Sequence, residues 1–226
     1  MTVTWTVVIP VKVLARAKSR LGVLAGSRRP ELALAMAADT VCAVLSCPEV
    51  AQVLVVTSDE VVAGFLAPLG VAVVGEDGPP AAAGAPRGGL EDGLNAALAH
   101  GARVAASRWP GNGIAALSAD LPALRPAELS RALRAAAAVA GAAAFVADEQ
   151  GVGTTLYAAA PGAAFRPMFG GASRRRHAAG GVCELLLDGI AGLRRDVDTP
   201  EDLRTAVTLG AGTRTMAVAG ELLDVA

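Results

Sequence analysis

Two acidic motifs have the residue types and the spacing for metal binding. Residues 116–122 (ALSADLP) place Asp120 just past a short apolar run, and a proline then turns the chain away. If residues 194–198 are extended, Asp196 and Asp198 lie two positions apart and share one face. Mg²⁺ typically takes one or two carboxylates together with substrate phosphates. Each motif can therefore present carboxylate oxygens to a cation, although a turn or a helix cap would also account for a single aspartate.

A helix start follows the second acidic motif. Thr199 suits the N-cap, Pro200 suits the first helical position, and Asp202 falls in the first turn, where negative charge is stabilising. We therefore assign Asp202 to the helix, and we expect at most one of the two preceding aspartates to share in the capping.

A cluster of positive charge follows the first apolar run. Within nine residues it holds four cations, Lys12, Arg16, Lys18 and Arg20. Such a run suits a triphosphate, although an isolated basic run also commonly faces solvent. No G-x-G-x-x-G follows this run, and Lys18 lacks the glycines of a P-loop. The sequence therefore argues against a dinucleotide-binding Rossmann enzyme.

The composition restricts the partners. The chain has 226 residues, of which 53% are hydrophobic, and we expect a single domain over residues 1–226. Its 20 Lys and Arg against 21 Asp and Glu give no electrostatic footprint for nucleic acid or for an anionic membrane. The three cysteines lack metal-ligand spacing, and no apolar segment suits a signal peptide or a bilayer span, so we expect a cytoplasmic protein. No pattern in the sequence indicates the oligomeric state.

Alternating strand and helix patterns position the acidic and basic motifs. Strands are predicted at residues 5–10, 52–57, 71–75, 113–118, 142–147 and 154–159. Helices are predicted at residues 30–45, 59–69, 90–99, 126–139 and 199–209, with a long loop at 76–89. This alternation predicts an α/β fold with a mostly parallel sheet covered on both faces. In such sheets ligands bind beyond the carboxyl ends of the strands, which is where the basic run and Asp120 fall.

Five segments together resemble a known family. They are VVIPVKVLARAKSRL at 7–21, GLNAAL at 93–98, LSADLPAL at 117–124, GTT at 153–155 with FGGASRRRH at 169–177, and RDVDTPEDL at 195–203. In this order they are similar to the 2-phospho-L-lactate or phosphoenolpyruvate guanylyltransferases that make the deazaflavin coenzyme F420. The resemblance runs from about residue 5 to residue 209 and leaves residues 210–226 outside it, with no role assigned. It implies a three-layer α/β/α, Rossmann-like fold of the GT-A-like nucleotidyltransferases.

The resemblance also implies roles for individual residues. The triphosphate would be held by Lys12, Lys18 and Arg20. The nucleoside would lie against Leu94 and Asn95. A Mg²⁺ ion would be bound by Asp120, Asp196 and Asp198, which with Lys18 would be the catalytic groups. The carboxylate or phosphate of the acceptor would be seated by Thr155, Gly170 and Ser173. The three arginines before His177 either grip the acceptor phosphate or form a solvated turn.

The implied reaction transfers GMP from GTP to phosphoenolpyruvate or 2-phospho-L-lactate and releases pyrophosphate. The acceptor is already an anion at neutral pH, so no strong general base is needed, and the chain has only two histidines. Alternatives are another GT-A-like nucleotidyltransferase, acting on 3-phosphoglycerate, a sugar phosphate or molybdopterin, and a module that binds Mg·NTP without turnover.

Overall fold

Among the residues that the structure describes, seven strands form one sheet in the order β3-β2-β1-β4-β6-β5-β7. The computed structural model describes residues 3–14, 18–76, 90–139 and 143–223. Two sequence features therefore lie outside the described residues, namely Arg16 and nearly all of the predicted loop at 76–89. The strands are β1 (Trp5–Pro10), β2 (Val50–Val56), β3 (Ala72–Val74), β4 (Gly113–Leu117), β5 (Ala143–Ala147), β6 (Thr154–Ala159) and β7 (Cys183–Glu184).

The sheet is mostly parallel. Strand β1 pairs in parallel with β2 and β4, β2 pairs in parallel with β3, and β5 pairs in parallel with β7. Only β6 runs the other way, antiparallel to both β4 and β5. The central strands are buried along most of their length, as expected for apolar runs covered on both faces. The predicted α/β fold with a mostly parallel sheet is confirmed.

Helices cover both faces of this sheet. They are α1 (Gly22–Ala25), α2 (Arg29–Leu45), α3 (Glu60–Leu66), α4 (Leu90–Arg108), α5 (Pro126–Ala138), α6 (Ser173–Ala179), α7 (Ala191–Arg194), α8 (Pro200–Leu209) and α9 (Thr213–Leu223). One face packs against α2, α3 and α5, and the opposite face packs against α4 and residues 163–169. A further group of α2 side chains packs against α8 and α9. None of the described helices combines the length and the apolar character that crossing a bilayer requires.

Helix α4 is longer than its sequence pattern predicts. The prediction ended it at residue 99, but the helix continues to Arg108. Gly101 marks the crossing of α4 over the sheet rather than a helix end. A Cβ at Gly101 would lie 2.6 Å from Val8 Cγ1 and 2.7 Å from Val56 Cγ2. The glycine therefore allows close packing of the helix on β1 and β2. Neighbouring residues along the chain do not reveal this contact, so the sequence pattern predicts a helix end beside this glycine.

The C-terminal residues form part of the core. Helix α9, which the sequence analysis did not predict, packs against α2 and buries Val218 and Ala219. Its start is capped from another helix, because the Asp39 carboxylate of α2 accepts the N–H of Thr215 at 2.7 Å. An N-cap supplied from elsewhere in the chain leaves no signal in the sequence around residue 213.

Candidate active site

A cleft of about 420 Å³ opens at the carboxyl ends of β1 and β4, between α2 and α4. Strand β1 has β2 and β3 on one side and β4 on the other. The chain therefore passes from β1 to strands on one side and later adds β4 on the opposite side, which makes β1 the point where the strand order reverses. In open α/β sheets such a switch point is where ligands bind. The cleft is lined by Pro10 and Val11 after β1 and by residues 117–120 at the end of β4.

An ammonium group lies between two carboxylates in this cleft. Lys18 Nζ is 2.7 Å from Asp198 Oδ1 and also donates to Asp120 Oδ2. Burial alone would lower the pKa of Lys18, but the charges of the two aspartates outweigh it and raise that pKa above its ordinary value. The same ammonium offsets the burial of Asp198 and lowers the pKa of its carboxyl. The two acidic motifs therefore converge on one cationic group.

The backbone holds these groups in place. Val197 is fully buried and its N–H donates to Asp120 O at 3.1 Å, which joins the two acidic motifs directly. Residues 195–198 follow α7 without pairing in the sheet. Lys18 has φ of 54°, in the left-handed region that costs a non-glycine residue about 1–2 kcal/mol. Such strain is typical of functional loops, where the surrounding structure enforces it.

Asp196 lies beside the pair but does not line the cleft. Its burial, followed by the charges of Asp120 and Asp198, raises the pKa of its carboxyl to about 7. Asp196 and Asp198 flank the buried Val197, as an extended segment requires. Of the three predicted metal ligands, the structure thus brings Asp120 and Asp198 onto one ammonium group and keeps Asp196 as a neighbouring carboxyl group.

Lys12 and Arg20 line the same cleft as Lys18. Both side chains are exposed, and their positive charges contribute to lowering the pKa of Asp198. The loop that carries them is anchored by Asp59, whose carboxylate accepts the Leu14 N–H at 2.9 Å. Asp59 also caps α3 through the N–H groups of Val61 and Val62. The described residues of the predicted basic cluster therefore line the same cleft as the carboxylates of Asp120 and Asp198.

Asp202 has the structural role predicted from its position. Its Oδ2 accepts hydrogen bonds from the Thr199 N–H at 2.9 Å and from Thr199 Oγ1 at 2.7 Å. In return, Thr199 Oγ1 accepts the Asp202 N–H, which completes a capping box at the start of α8. Asp202 does not line the cleft. The predicted helix cap of Asp202 is confirmed, and Asp198 lines the cleft, where its role as a metal ligand stays a prediction.

On the predicted nucleoside side, the structure separates Leu94 from Asn95. Leu94 lines the cleft, whereas Asn95 does not. Instead, Asn95 Oδ1 accepts the Phe169 N–H at 2.9 Å and Asn95 Nδ2 donates to Phe169 O at 3.1 Å. Phe169 itself lines the cleft, a role that the sequence analysis missed. The available signal was its place directly before the two glycines of the FGG string.

The three residues predicted to seat the acceptor, Thr155, Gly170 and Ser173, do not line the cleft. Ser173 is buried, and its hydroxyl donates to Thr154 Oγ1 at 3.1 Å. Gly170 follows Phe169 with φ of 99°, a conformation that favours glycine. Thr155 is fully buried, and its hydroxyl has no partner among the described residues. An unsatisfied buried hydroxyl costs free energy, so a hydrogen-bond partner for it would be stabilising.

Two of the three arginines before His177, Arg174 and Arg176, bind protein groups. Arg174 pairs with Glu184 at 2.9 Å and donates to Gly151 O at 3.1 Å. Arg176 donates to carbonyls of the loop before α6, including Phe169 O at 3.3 Å. Both side chains contact protein groups here, and a grip on the acceptor phosphate stays a prediction. They hold the loop that carries Phe169 and Gly170.

His177 completes the support of this loop from the core. It is fully buried, its Nε2 accepts the Met168 N–H at 2.7 Å, and its Nδ1 lies 3.0 Å from Thr154 Oγ1. Burial, followed by the charge of Arg176, lowers the pKa of His177 to about 4. The ring is therefore neutral at pH 7, with its proton on Nδ1 because Nε2 is an acceptor.

The carboxylates around Lys18 have the donor chemistry of a Mg²⁺ site. Asp120 and Asp198 already present oxygen atoms to one cationic group, the ammonium of Lys18. Across the described part of the chain, no three His, Cys, Asp or Glu side chains form a metal-binding group. A cation held by two carboxylates would complete its shell with phosphate and water oxygens, which is the usual arrangement for Mg²⁺.

Known protein sequences resemble this chain over nearly its full length. The family described as "Guanylyl transferase CofC like" matches residues 5–222, so its extent includes most of the C-terminal region that the sequence analysis left outside. A phosphoenolpyruvate guanylyltransferase of Thermomonospora curvata is 55% identical over 219 residues, covering 97% of this chain and 90% of that protein. A protein of the same name from Streptomyces coelicolor is 54% identical over 220 residues, covering 97% of each chain.

Solved structures share the fold at low identity. A structure from Desulfovibrio desulfuricans, assigned to the nucleotide-diphospho-sugar transferases, has a TM-score of 0.66 at 16% identity and covers 98% of this chain and 94% of its own. A nucleotidyl transferase from Methanothermobacter has a TM-score of 0.57 at 21% identity and covers 92% of this chain and 98% of its own. These likenesses concern the fold, whereas the match over residues 5–222 and the relatives above 50% identity concern the family. The chain is therefore a nucleotidyltransferase that belongs to the family of CofC-like guanylyl transferases.

Proposed function

We propose that this chain transfers GMP from GTP to phosphoenolpyruvate and releases pyrophosphate. The observation that carries the proposal is the convergence of Lys12, Lys18 and Arg20 with Asp120 and Asp198 in one cleft at the switch point of the sheet. A triphosphate needs cations, and a metal that bridges phosphates needs carboxylates. Relatives named phosphoenolpyruvate guanylyltransferase support the choice of acceptor, because they match 97% of the chain at 54–55% identity.

The cations of the β1–α1 loop would bind the nucleotide. Lys12 and Arg20 are exposed and face the cleft, so they can contact phosphate oxygens without breaking buried contacts. Lys18 is already paired, and its two carboxylates would release it only in exchange for another cation. We infer that Lys18 then transfers its hydrogen bonds to the triphosphate. Leu94 and Phe169 supply apolar surface at the opposite wall of the cleft for the nucleoside.

Asp120 and Asp198 would hold the Mg²⁺ ion, with Asp196 as a neighbouring carboxylate. When bound there, Mg²⁺ would neutralise charge on the phosphates and so favour phosphoryl transfer. The carboxylates themselves are fixed by the backbone contact between Val197 and Asp120 and by the capping box that follows Asp198. The protein's contribution is therefore to position charge in advance of the reaction.

The chemical step needs no general base from the protein. An oxygen of the acceptor phosphate attacks the α-phosphorus of GTP, a new P–O bond forms, and the bond between the α-phosphorus and the bridging oxygen breaks. The electron pair leaves with pyrophosphate, whose charge the basic side chains offset. The acceptor oxygen is already anionic at neutral pH, so positioning and charge neutralisation supply the rate.

The acceptor would sit beside the loop that carries Phe169 and Gly170. The Thr155 hydroxyl lacks a partner among the described residues, and a substrate anion would supply one. Ser173 would act through its backbone or by releasing its bond to Thr154. By the family resemblance the product would enter the synthesis of coenzyme F420. With three free cysteines, the chain is proposed to work in the reducing cytoplasm.

A panel of acceptors tests the proposal. The purified chain with Mg²⁺ is given GTP or CTP together with phosphoenolpyruvate, 2-phospho-L-lactate, 3-phosphoglycerate or glucose 1-phosphate, and pyrophosphate release is followed. We expect release only with GTP, and at the highest kcat/KM with phosphoenolpyruvate. A preference for another acceptor would replace phosphoenolpyruvate in the proposal. Binding of GTP without release under any pairing would identify a nucleotide-binding module instead.

A further inference from the structure

The turn that carries Asp120 is held by three elements that are distant in sequence. Leu121 N donates to Thr40 Oγ1 at 3.0 Å, and Gly212 N donates to Pro122 O at 2.8 Å. The third contact is the Val197 N–H on Asp120 O. Each contact reaches the backbone within two residues of the Asp120 carboxylate. The orientation of that carboxylate therefore depends on groups outside the cleft.

Among these contacts, only that of Thr40 is made by a side chain. Thr40 lies in the middle of α2, is fully buried and does not line the cleft. Its hydroxyl donates to Met36 O at 2.8 Å, the common hydrogen bond of a helical threonine. The same oxygen accepts the Leu121 N–H. Leu121 is itself fully buried, so without Thr40 its N–H would have no access to water.

The residue before Thr40 reinforces the same connection. Asp39 accepts the N–H groups at the start of α9, including that of Thr215 at 2.7 Å. Gly212 approaches Asp39 so closely that a Cβ there would lie 2.3 Å from Asp39 Cγ. Gly212 in turn donates to Pro122 O. Two consecutive residues of α2 thus hold the Asp120 turn, one directly and one through the start of α9.

We propose that Thr40 is a positioning residue that orients Asp120 for metal binding. The proposal rests on the proposed function, in which Asp120 is a metal ligand. Thr40 makes no contact with the ligand-binding groups of the cleft, so its effect passes through the backbone of Leu121. Residues that orient metal ligands typically change metal affinity or activity by about 10- to 100-fold when they are lost.

The test compares substitutions that keep or remove the hydroxyl. Thr40→Val preserves the shape and removes the acceptor, and Thr40→Ala removes it with less risk of crowding an unpaired N–H. Thr40→Ser retains the hydroxyl. Thr208→Val is the matched control, because Thr208 makes the same bond to the carbonyl four residues earlier, Arg204 O at 3.0 Å, on an exposed face of α8. Mn²⁺ binding is titrated on each folded protein without substrate, and the Mg²⁺ dependence of kcat is measured separately.

We expect Thr40→Val and Thr40→Ala to raise the Mn²⁺ Kd by about tenfold or more, with Thr40→Ser and Thr208→Val close to the wild type. A merely structural threonine would lower stability and leave the Mn²⁺ Kd unchanged. Wild-type binding in a folded Thr40→Ala protein would therefore overturn the positioning role while leaving the proposed metal site intact. A wild-type protein that binds no Mn²⁺, with or without GTP, would overturn the metal site and the positioning role together.

Discussion

Two loops border the cleft, and they are held in different ways. In the described part of the basic loop after β1, Lys18 pairs with Asp120 and Asp198. In the same loop the Leu14 N–H donates to Asp59, and Lys12 and Arg20 stay exposed. The loop between β6 and α6 is held by hydrogen bonds from side chains of several elements. These are Tyr157 from β6, Asn95 from α4, and Arg176 and His177 from α6.

This difference separates two tasks. The charged loop can exchange its partners when a nucleotide arrives with a metal ion, because the ion can replace the Lys18 ammonium beside the two carboxylates and leave no buried charge unpaired. The hydrogen-bonded loop has no such freedom, because its backbone groups depend on the buried His177 and on Asn95. We therefore expect substitutions in the first loop to change nucleotide use, and substitutions around the second to change acceptor use or stability.

The largest expected effect is at the carboxylates that the charged loop contacts. Asp198→Asn should lower kcat on the order of 10²-fold or more, because a group that stabilises transferring charge is lost while its shape is kept. Asp202→Asn is the matched control four residues later, and it should cost only about 0.3–1 kcal/mol of stability. Turnover and urea unfolding are measured for both. Similar losses of kcat would contradict the division between the cleft and the helix cap.

The basic side chains should act on the nucleotide. Lys12→Ala and Arg20→Ala each remove a charged donor, worth about 1.5–3 kcal/mol when bound, so the KM for GTP should rise about tenfold or more. The KM for phosphoenolpyruvate should change little. Arg204→Ala is the control, because Arg204 is a half-exposed cation of α8 whose ion pair with Glu201 measures 3.5 Å. If both loop variants titrate GTP like the parent, the loop is merely solvated.

On the acceptor side, Thr155→Val keeps the volume and removes a hydroxyl that lacks a partner among the described residues. Stability should be unchanged or higher, whereas kcat/KM for phosphoenolpyruvate should fall about tenfold, since a hydrogen bond to a charged group is lost. Thr215→Val is the matched control, because Thr215 is equally buried and its hydroxyl also lacks a described partner. A fall in GTP affinity instead would assign Thr155 to the nucleotide.

A smaller effect concerns pH and the second loop. His177 has its pKa lowered to about 4, whereas an unfolded histidine titrates near 6.5. Between these values this residue binds more protons in the unfolded chain, so the contribution of His177 to the free energy of unfolding falls as the pH falls through this window. From pH 7 to pH 5.5 that contribution should fall by about 1 kcal/mol.

Urea unfolding at the two pH values, in the wild type and in His177→Gln, measures this contribution. The pH-dependent part should shrink in the variant by about that amount. An unchanged slope would show that protonation of His177 does not limit the stability of the loop.

Features that depend on short stretches of sequence could be predicted from the sequence. Strands β1 and β6 begin and end where their apolar runs predict, and Asp120, Asp198 and the basic residues lie in one cleft. These features follow from short patterns and from the rule that strand ends bind ligands. The catalytic and binding roles of these cleft residues stay predictions, as do those of Asp196, Thr155, Gly170 and Ser173.

The features that the sequence did not reveal depend on distant contacts. Helix α9 is capped by Asp39, which is distant in the sequence. Helix α4 continues past Gly101, where the absence of a side chain allows close packing on the sheet. Asn95 binds the backbone of Phe169, which is 74 residues away. The two-residue strand β7 is too short to carry a pattern. Propensity and spacing describe neighbours along the chain, so such partners become visible only in the folded structure.

The most direct test of guanylyl transfer in this cleft uses GTP labelled at the α-phosphorus with ³²P. We expect the wild type, with Mg²⁺ and phosphoenolpyruvate, to move the label into a product that contains the acceptor, and we expect chelation of the metal to abolish transfer. Asp120→Asn should unfold in urea with the wild-type midpoint and transfer almost no label. A well-folded Asp120→Asn protein that transfers label at the wild-type rate would contradict the assignment of this cleft as the active site.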